Sequence, residues 1–321
     1  MLQWIESFLT SRTQRVMVNG VLSEPVPVTS GVPQGSVLGP LLFLILIGDI
    51  DKDLLACFIS SFADDTRLSR AVADVRDASS LQTELNKVYQ WAEDNNMLFN
   101  EKKFELLRYG ADEVLKLSTS YTAPDGSIIP EKDHVRDLGV TMSNDGSFKQ
   151  HITNMCQSAR NMCAWILRTF QSRCSELMLT MWKSLVLPIL DYCSQLWSPE
   201  KTGLIQEIEN IQKSFTRKIS SQKRENYWER LHTYRLYSLQ RRRERYRILY
   251  VWKILENLVP NVGQDKITSR SSTRHGRFCV VPKLSNTLPS DVQRLKEGSF
   301  CVNGAKLFNS LPKSIRNLTC I

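Results

Sequence analysis

Glycines and prolines divide this chain into two kinds of sequence. The first 150 residues are punctuated by Asn19-Gly20, Pro25, Pro27 and the run SGVPQGSVLGP at 30–40. Proline is excluded from helix interiors and central strands, and glycine weakens both, so short hairpins and loops around a few helices are expected here. From His151 to about Ser221 the pattern becomes helical, with amphipathic segments broken at SRCSE, Pro188 and SPEKTG. A hairpin-rich part followed by helices is an α+β arrangement.

Local signals refine this picture. Residues 4–12 predict a short helix, and TQRVMVNGVL a hairpin turning at Asn19-Gly20. VLSEPVPVTS is extended. SVLGPLLFLILIGDI has no polar face and predicts a buried helix, with Pro40 near its first turn. SFADDTRLS at 61–69 predicts a hairpin carrying Asp64 and Asp65. DASSLQTELNKVYQWAEDN has apolar residues at 81, 85, 88 and 91/92, a helical spacing with Asp77 as cap. FNEKKFELLRYG predicts a strand, STSYTAPDGSIIPEKDH a hairpin or loop, and LYSLQRRRERYRILYVWKILENLVPN one basic helix stopped by Pro260. Residues 261–290 read as loop, and SFCVNGAKLFNSLPKSIRN as a strand and a short closing helix.

Charge narrows the partners. The formal net charge is +9, and Lys213–Lys253 alone holds 13 Lys/Arg against 3 Asp/Glu, which leaves the remainder at about −1. A basic segment on a near-neutral chain favours nucleic acid over a membrane surface or a small acidic substrate. Aromatics interleave these charges, so Arg241, Arg242, Arg243 and Arg245 are candidate nucleic-acid contacts, with Leu236, Leu239, Tyr246 and Tyr250 as a core stripe. Eight scattered cysteines form no CxxC, and His134, His151, His232 and His275 form no metal-ligand spacing. Zinc is not expected, and reduced thiols fit a cytosolic or nuclear, not secreted, protein. Asn317-Leu-Thr319 is then a chance sequon. The longest apolar run, LLFLILI, is too short to span a membrane.

Two adjacent aspartates usually mark a solvated corner, and side chains of consecutive strand residues point to opposite faces. The loop before them changes the reading. Gly31, Gly35 and Gly39 permit close backbone approach of a ligand, but GxGxxG, a P-loop lysine and the GxSxG elbow are all absent. GDIDKD at 48–53 is not an EF-hand, because, counting from Asp49, Leu54 and Ser60 stand at positions 6 and 12.

Taken together, TQRVMVNGVLSEPVPVTSGVPQGSVLGPLLF at 13–43 and FADDT at 62–66 resemble the palm of reverse transcriptases from non-LTR (LINE-type) retrotransposons, nearest the jockey and chicken-repeat groups. NMLFNEKKFELLRYG resembles the segment after the catalytic hairpin, VRDLGVTMSNDGSFKQHI the palm-to-thumb turn, and LVLPILDYCSQLWSP a thumb helix. The resemblance implies a partial polymerase palm, an antiparallel sheet with packed helices, over 1–150. A helical thumb-like region follows over 151–222 and a basic helical region over 223–321.

It also implies an activity: RNA-directed DNA polymerisation by two-metal nucleotidyl transfer, with Mg²⁺ or Mn²⁺ as cofactor. The implied partners are RNA template, DNA primer or target, and deoxynucleoside triphosphates. By resemblance Asp64 and Asp65 are metal ligands, Asp64 the firmer. Ser30, Gly31, Pro33, Gln34 and Gly35 hold template and incoming nucleotide. Asn100 and Lys103 match the family's Asn and Lys positions, Lys103 as candidate proton donor to pyrophosphate. The family carries a further palm aspartate on a strand upstream of the residue numbered Met1 here, so metal binding is expected to be weakened. Two divalent ions about 4 Å apart repel by roughly 17 kcal/mol at an effective dielectric of about 20. The expectation is a truncated fragment that does not polymerise alone. A non-enzymatic RNA- or DNA-binding relic and a helical interaction module remain as alternatives.

Overall fold

The structure, a computed structural model, describes residues 1–97, 99–110, 112–219, 224–261, 266–273, 276–283 and 290–318. His275, Cys320 and Thr319 of the sequon lie outside the described residues. The chain is a mixed α+β structure of helices and small antiparallel sheets. It divides into two compact units, residues 1–106 with 111–131, and residues 107–110 with 132–321.

The first unit opens with α1 (Leu2–Leu9), β1 (Arg12–Gln14), β2 (Met17–Val18), β3 (Val21–Leu22) and β4 (Val26–Val28). β2 and β3 pair around Asn19-Gly20, both at positive φ, the turn that Asn-Gly favours; β4 returns to pair with β1. Next come α2 (Gly39–Ile47), the hairpin β5 (Phe58–Phe62) and β6 (Asp65–Ser69), and α3 (Val75–Asp94). α4 (Glu113–Ser118) is followed by a turn at Asp125-Gly126. Ala78, Leu85 and Tyr89 of α3 pack with Tyr121, Ala123 and Ile129. On its other side Val88 meets Ile47, Ile50 and the cross-strand pair Ile59–Leu68, which seats the hairpin.

Three expectations change in this unit. α2 was expected to be buried, yet Leu41, Leu44, Ile45 and Leu46 are 43–68% exposed. Its polar-free surface is wider than the single strip that Ile47 and Phe43 bury. Replacing Leu44 and Ile45 together by Lys is therefore expected to change stability by less than about 1 kcal/mol while reducing self-association, as read by thermal melting and sedimentation. The cap of α3 is Asp74, which accepts from Asp77 N at 2.9 Å; Asp77 instead pairs with Arg70 at 2.8 Å. Residues 99–110 are no strand. Glu101–Lys103 form a 3₁₀ turn, and Phe99 and Phe104 fold back onto the Tyr89 ring, leaving a single bridge, Leu106–Glu131. α4, capped by Asp112, occupies residues for which no element was expected.

The second unit begins with β7 (His134–Asp137) and β8 (Val140–Ser143), paired around Leu138-Gly139. There follow α5 (Lys149–Thr169), α6 (Ser175–Met181), α7 (Leu187–Asp191), α8 (Ser194–Trp197), α9 (Thr202–Ile219), α10 (Tyr227–Thr233) and α11 (Leu239–Leu255). The hairpin β9 (Thr268–Ser272) and β10 (Gly276–Val280), then α12 (Ser290–Glu297), α13 (Phe300–Asn309) and α14 (Lys313–Arg316), complete it. The stripe Ile152, Cys156, Ala159, Cys163 and Ile166 of α5 buries against Met178, Trp182, Leu190, Ile208 and Phe215. A second cluster joins Val251 and Ile254 of α11 to Ala305 and Phe308 of α13 and Cys279 of β10.

Pro188 does not end a helix: a π turn at Trp182–Val186 runs into α7, with the proline near the start where its missing N–H costs little. The break falls at Tyr192-Cys193 instead, Cys193 taking φ of 54°. The expected loop over 261–290 contains the β9–β10 hairpin, because Ile267 and Cys279 are drawn into the core; residues 262–265, 274–275 and 284–289 lie outside the described residues. The expected strand at 299–309 is α13, capped by Ser299, whose Val302, Ala305 and Phe308 form one buried stripe. Gly304 lets α11 approach, since a Cβ there would lie 2.9 Å from Val251.

Candidate active site and basic helix

The turn between β5 and β6 is two residues long, Ala63-Asp64, because Phe62 pairs with Asp65. Positive φ occurs at Ala63 (53°), a position glycine would occupy more easily. Asp64 therefore sits at the tip and Asp65 opens β6, and both carboxylates are exposed. Below them Ser61 and Thr66 hydroxyls meet at 3.1 Å across the strands. At the base, Arg70 ties the hairpin to α3 through Asp77, whose pKa is lowered by its hydrogen bond with that guanidinium. Glu84 of α3 accepts from Leu55 N at 3.0 Å and holds the segment entering β5.

The glycine-rich loop is shaped by neighbours that sequence reading did not single out. The Arg12 guanidinium donates to the carbonyls of Ser30 and Gly31. The Ser36 hydroxyl donates to Pro33 O at 2.6 Å and accepts from Gly39 N at 3.0 Å. Gly39 has no room for a side chain, because a Cβ would lie 2.8 Å from Pro33 O. Gly31 and Gly35 both take φ near 80° with open space around them, and Gln34 is exposed. An arginine eighteen residues before a Ser-Gly carries no local signal; only the β1–β4 pairing brings Arg12 there.

Lys103 ends the 3₁₀ turn, exposed, its N–H bonded to Asn100 O at 2.9 Å. Loop, hairpin tip and Lys103 are each held by their own local hydrogen bonds. Among the described residues no three His, Cys, Asp or Glu side chains converge on one point. Two exposed carboxylates are hard oxygen donors suited to Mg²⁺ or Mn²⁺, but as a pair they are an incomplete set.

The described arginines of α11 do not share one face. Arg241 and Arg245 are exposed. Arg242 pairs with Asp191 at 2.5 Å and donates to Tyr246 at 2.8 Å, while Arg243 and Arg247 are buried. Cys57, Cys156, Cys163, Cys174, Cys193 and Cys279 are free thiols, and burial raises the pKa of Cys156 to about 11 and of Cys163 to about 12. Among the described residues, no helix is long and apolar enough to cross a membrane.

Residues 1–142, which include the loop, the hairpin and Lys103, match the family model described as reverse transcriptase (RNA-dependent DNA polymerase). This part of the chain is similar in sequence to reverse transcriptases. The chain is 29% identical over 230 residues to the RNA-directed DNA polymerase from mobile element jockey of Drosophila melanogaster, covering 67% of this chain and 24% of that one. It is 27% identical over 229 residues to the jockey polymerase of Drosophila funebris, covering 68% and 25%. It is also 27% identical over 227 residues to the probable RNA-directed DNA polymerase from transposon X-element of Drosophila melanogaster, covering 67% and 24%. The chain thus spans about a quarter of the length of these reverse transcriptase relatives. No solved structure matches it.

Proposed function

We propose that this chain contributes the catalytic hairpin and nucleotide loop of an RNA-directed DNA polymerase, and that its 321 residues alone do not polymerise. The exposed Asp64-Asp65 tip, within a segment of reverse transcriptase sequence, is the observation that carries this reading. In it, Asp64 and Asp65 are ligands for Mg²⁺ or Mn²⁺, which would activate the primer hydroxyl and steady the triphosphate. Ser30, Gly31, Pro33, Gln34 and Gly35 line the path of template and incoming nucleotide, and Lys103 protonates pyrophosphate. Residues 1–150 act as a palm part, 151–222 as a thumb-like part and 223–321 as a basic C-terminal part, in the cytoplasm or nucleus. Exposed Arg241 and Arg245 contact the RNA template or primer duplex.

Two carboxylates cannot offset the mutual repulsion of two divalent ions, so further anionic ligands must join them. Primer extension on an RNA template with Mg²⁺ or Mn²⁺ is expected to yield no template-dependent product. Weak Mn²⁺ binding is expected to broaden NMR signals around Ala63–Thr66 and to vanish in Asp64→Ala. Product that Asp64→Ala abolishes would reveal a complete site in this chain, and broadening unchanged by Asp64→Ala would remove the hairpin from the site altogether. A second reading, nucleic-acid binding without catalysis, is favoured by the charge of Lys213–Lys253. It requires salt-dependent RNA binding that survives Asp64→Ala.

A further inference from the structure

The helical unit buries a guanidinium whose donors find no hydrogen-bond partner among the described residues. Arg243 on α11 is 2% exposed, and none of its three guanidinium nitrogens has a hydrogen-bond partner. Arg247, one turn further on, is 6% exposed with Nε equally unpartnered. A buried cation with open donors is costly, so a partner from outside the chain is the natural complement. Both arginines line a cavity of about 370 Å³ between the α8–α9 connection, α11 and α13. Lys306 adds a third cation to its wall, and Glu200 and Glu244 add two carboxylates. Both carboxylates favour the charged form of Arg247 through space, and Glu244 that of Arg243, but their hydrogen bonds go to other groups: Glu200 accepts from Asn303 Nδ2, and Glu244 from Gln240 Nε2 at 3.0 Å.

We propose that this cavity binds a phosphate group, with Arg243 as its principal ligand and Arg247 and Lys306 beside it. A planar guanidinium suits an oxyanion with several acceptor oxygens, and a phosphate can serve Arg243 and Lys306 at once where a carboxylate has only two oxygens to offer. The volume lies in the range of small-ligand sites, so a phosphate ester fits as well as the free ion. The source is a free phosphate or nucleotide, or the end of a nucleic-acid strand. The site does not depend on Asp64 or on the hairpin reading.

Thermal melting of the full chain in inorganic phosphate against chloride at matched ionic strength tests it. A saturable rise in Tm is expected for the wild type and is expected to be absent in Arg243→Met and Lys306→Ala. Arg243→Met removes a buried unpaired charge at similar length, and should melt no lower than wild type in chloride. Lys306 is exposed, so its truncation leaves the fold intact if the first variant does not fold. Phosphate also stabilises proteins generally by exclusion from their surfaces, an effect that does not saturate and is common to all variants. A shift of only that kind, or one of equal size in wild type and Lys306→Ala, would overturn the proposal. Competition with a nucleotide, a 5′-phosphorylated oligonucleotide and its 5′-hydroxyl counterpart then assigns the source.

Discussion

Trp182→Ala is expected to destabilise the helical unit by about 3–5 kcal/mol, the range for emptying a buried aromatic site. Trp182 is fully buried in the π turn between α6 and α7, stacked on Phe215 of α9 with ring centroids 4.9 Å apart. Met178, Val186, Leu190 and Ile208 belong to the same cluster, so the hole would open where helices from three parts of the unit converge. Rigid helices relax poorly into such a hole, which places the cost high in the range. Against a typical stability of about 5–15 kcal/mol, this is a large share. The indole Nε1 has no hydrogen-bond partner among the described residues, so part of the burial is already opposed. Trp182→Phe should accordingly lose less than half as much. Urea unfolding followed by circular dichroism measures both, and a loss below about 1 kcal/mol for the alanine variant would contradict the packing argument.

Glu209→Ala is the second large effect, expected at about 2–4 kcal/mol from three hydrogen bonds to one carboxylate, two of them to orphan helix N–H groups. Glu209 on α9 accepts the Tyr227 hydroxyl from α10 and the N–H groups of Leu239 and Gln240, both at 3.2 Å, from the first turn of α11. It therefore joins three helices and places a negative charge at the positive end of α11. Ser238 caps the same turn through Arg241 N at 3.2 Å, so α11 would remain a helix but lose its anchorage. Glu209→Gln keeps an acceptor without the charge, and about half the loss is expected. Burial, then the bond to Glu209, raises the Tyr227 pKa. A raised folded-state pKa stabilises fully below the unfolded value of about 10 and is lost as pH rises beyond it. The stability gap between wild type and Glu209→Ala should thus be steady at neutral pH and change only in alkali. A Tyr227 titration that does not move down in the variant would contradict the coupling.

Features written in neighbouring residues were legible in the sequence. Asn19-Gly20 sets its own turn, because both residues accept positive φ cheaply; the Asp64 hairpin and the helical spacing of 151–219 are equally local. The loop and hairpin also carried the family resemblance that residues 1–142 bear out. What the sequence left open depended on partners far along the chain. The Phe99–Phe104 segment turns inward because Tyr89 waits for it. The serine-capped stretch after residue 299 becomes α13 because Val251 and Cys279 accept its stripe. Arg243 leaves the basic face because Leu239, one turn earlier on α11, is drawn into the core. Turn and helix preferences are settled within a few residues, so a sequence determines them alone. Burial is settled by what lies opposite, and only the tertiary structure decides that.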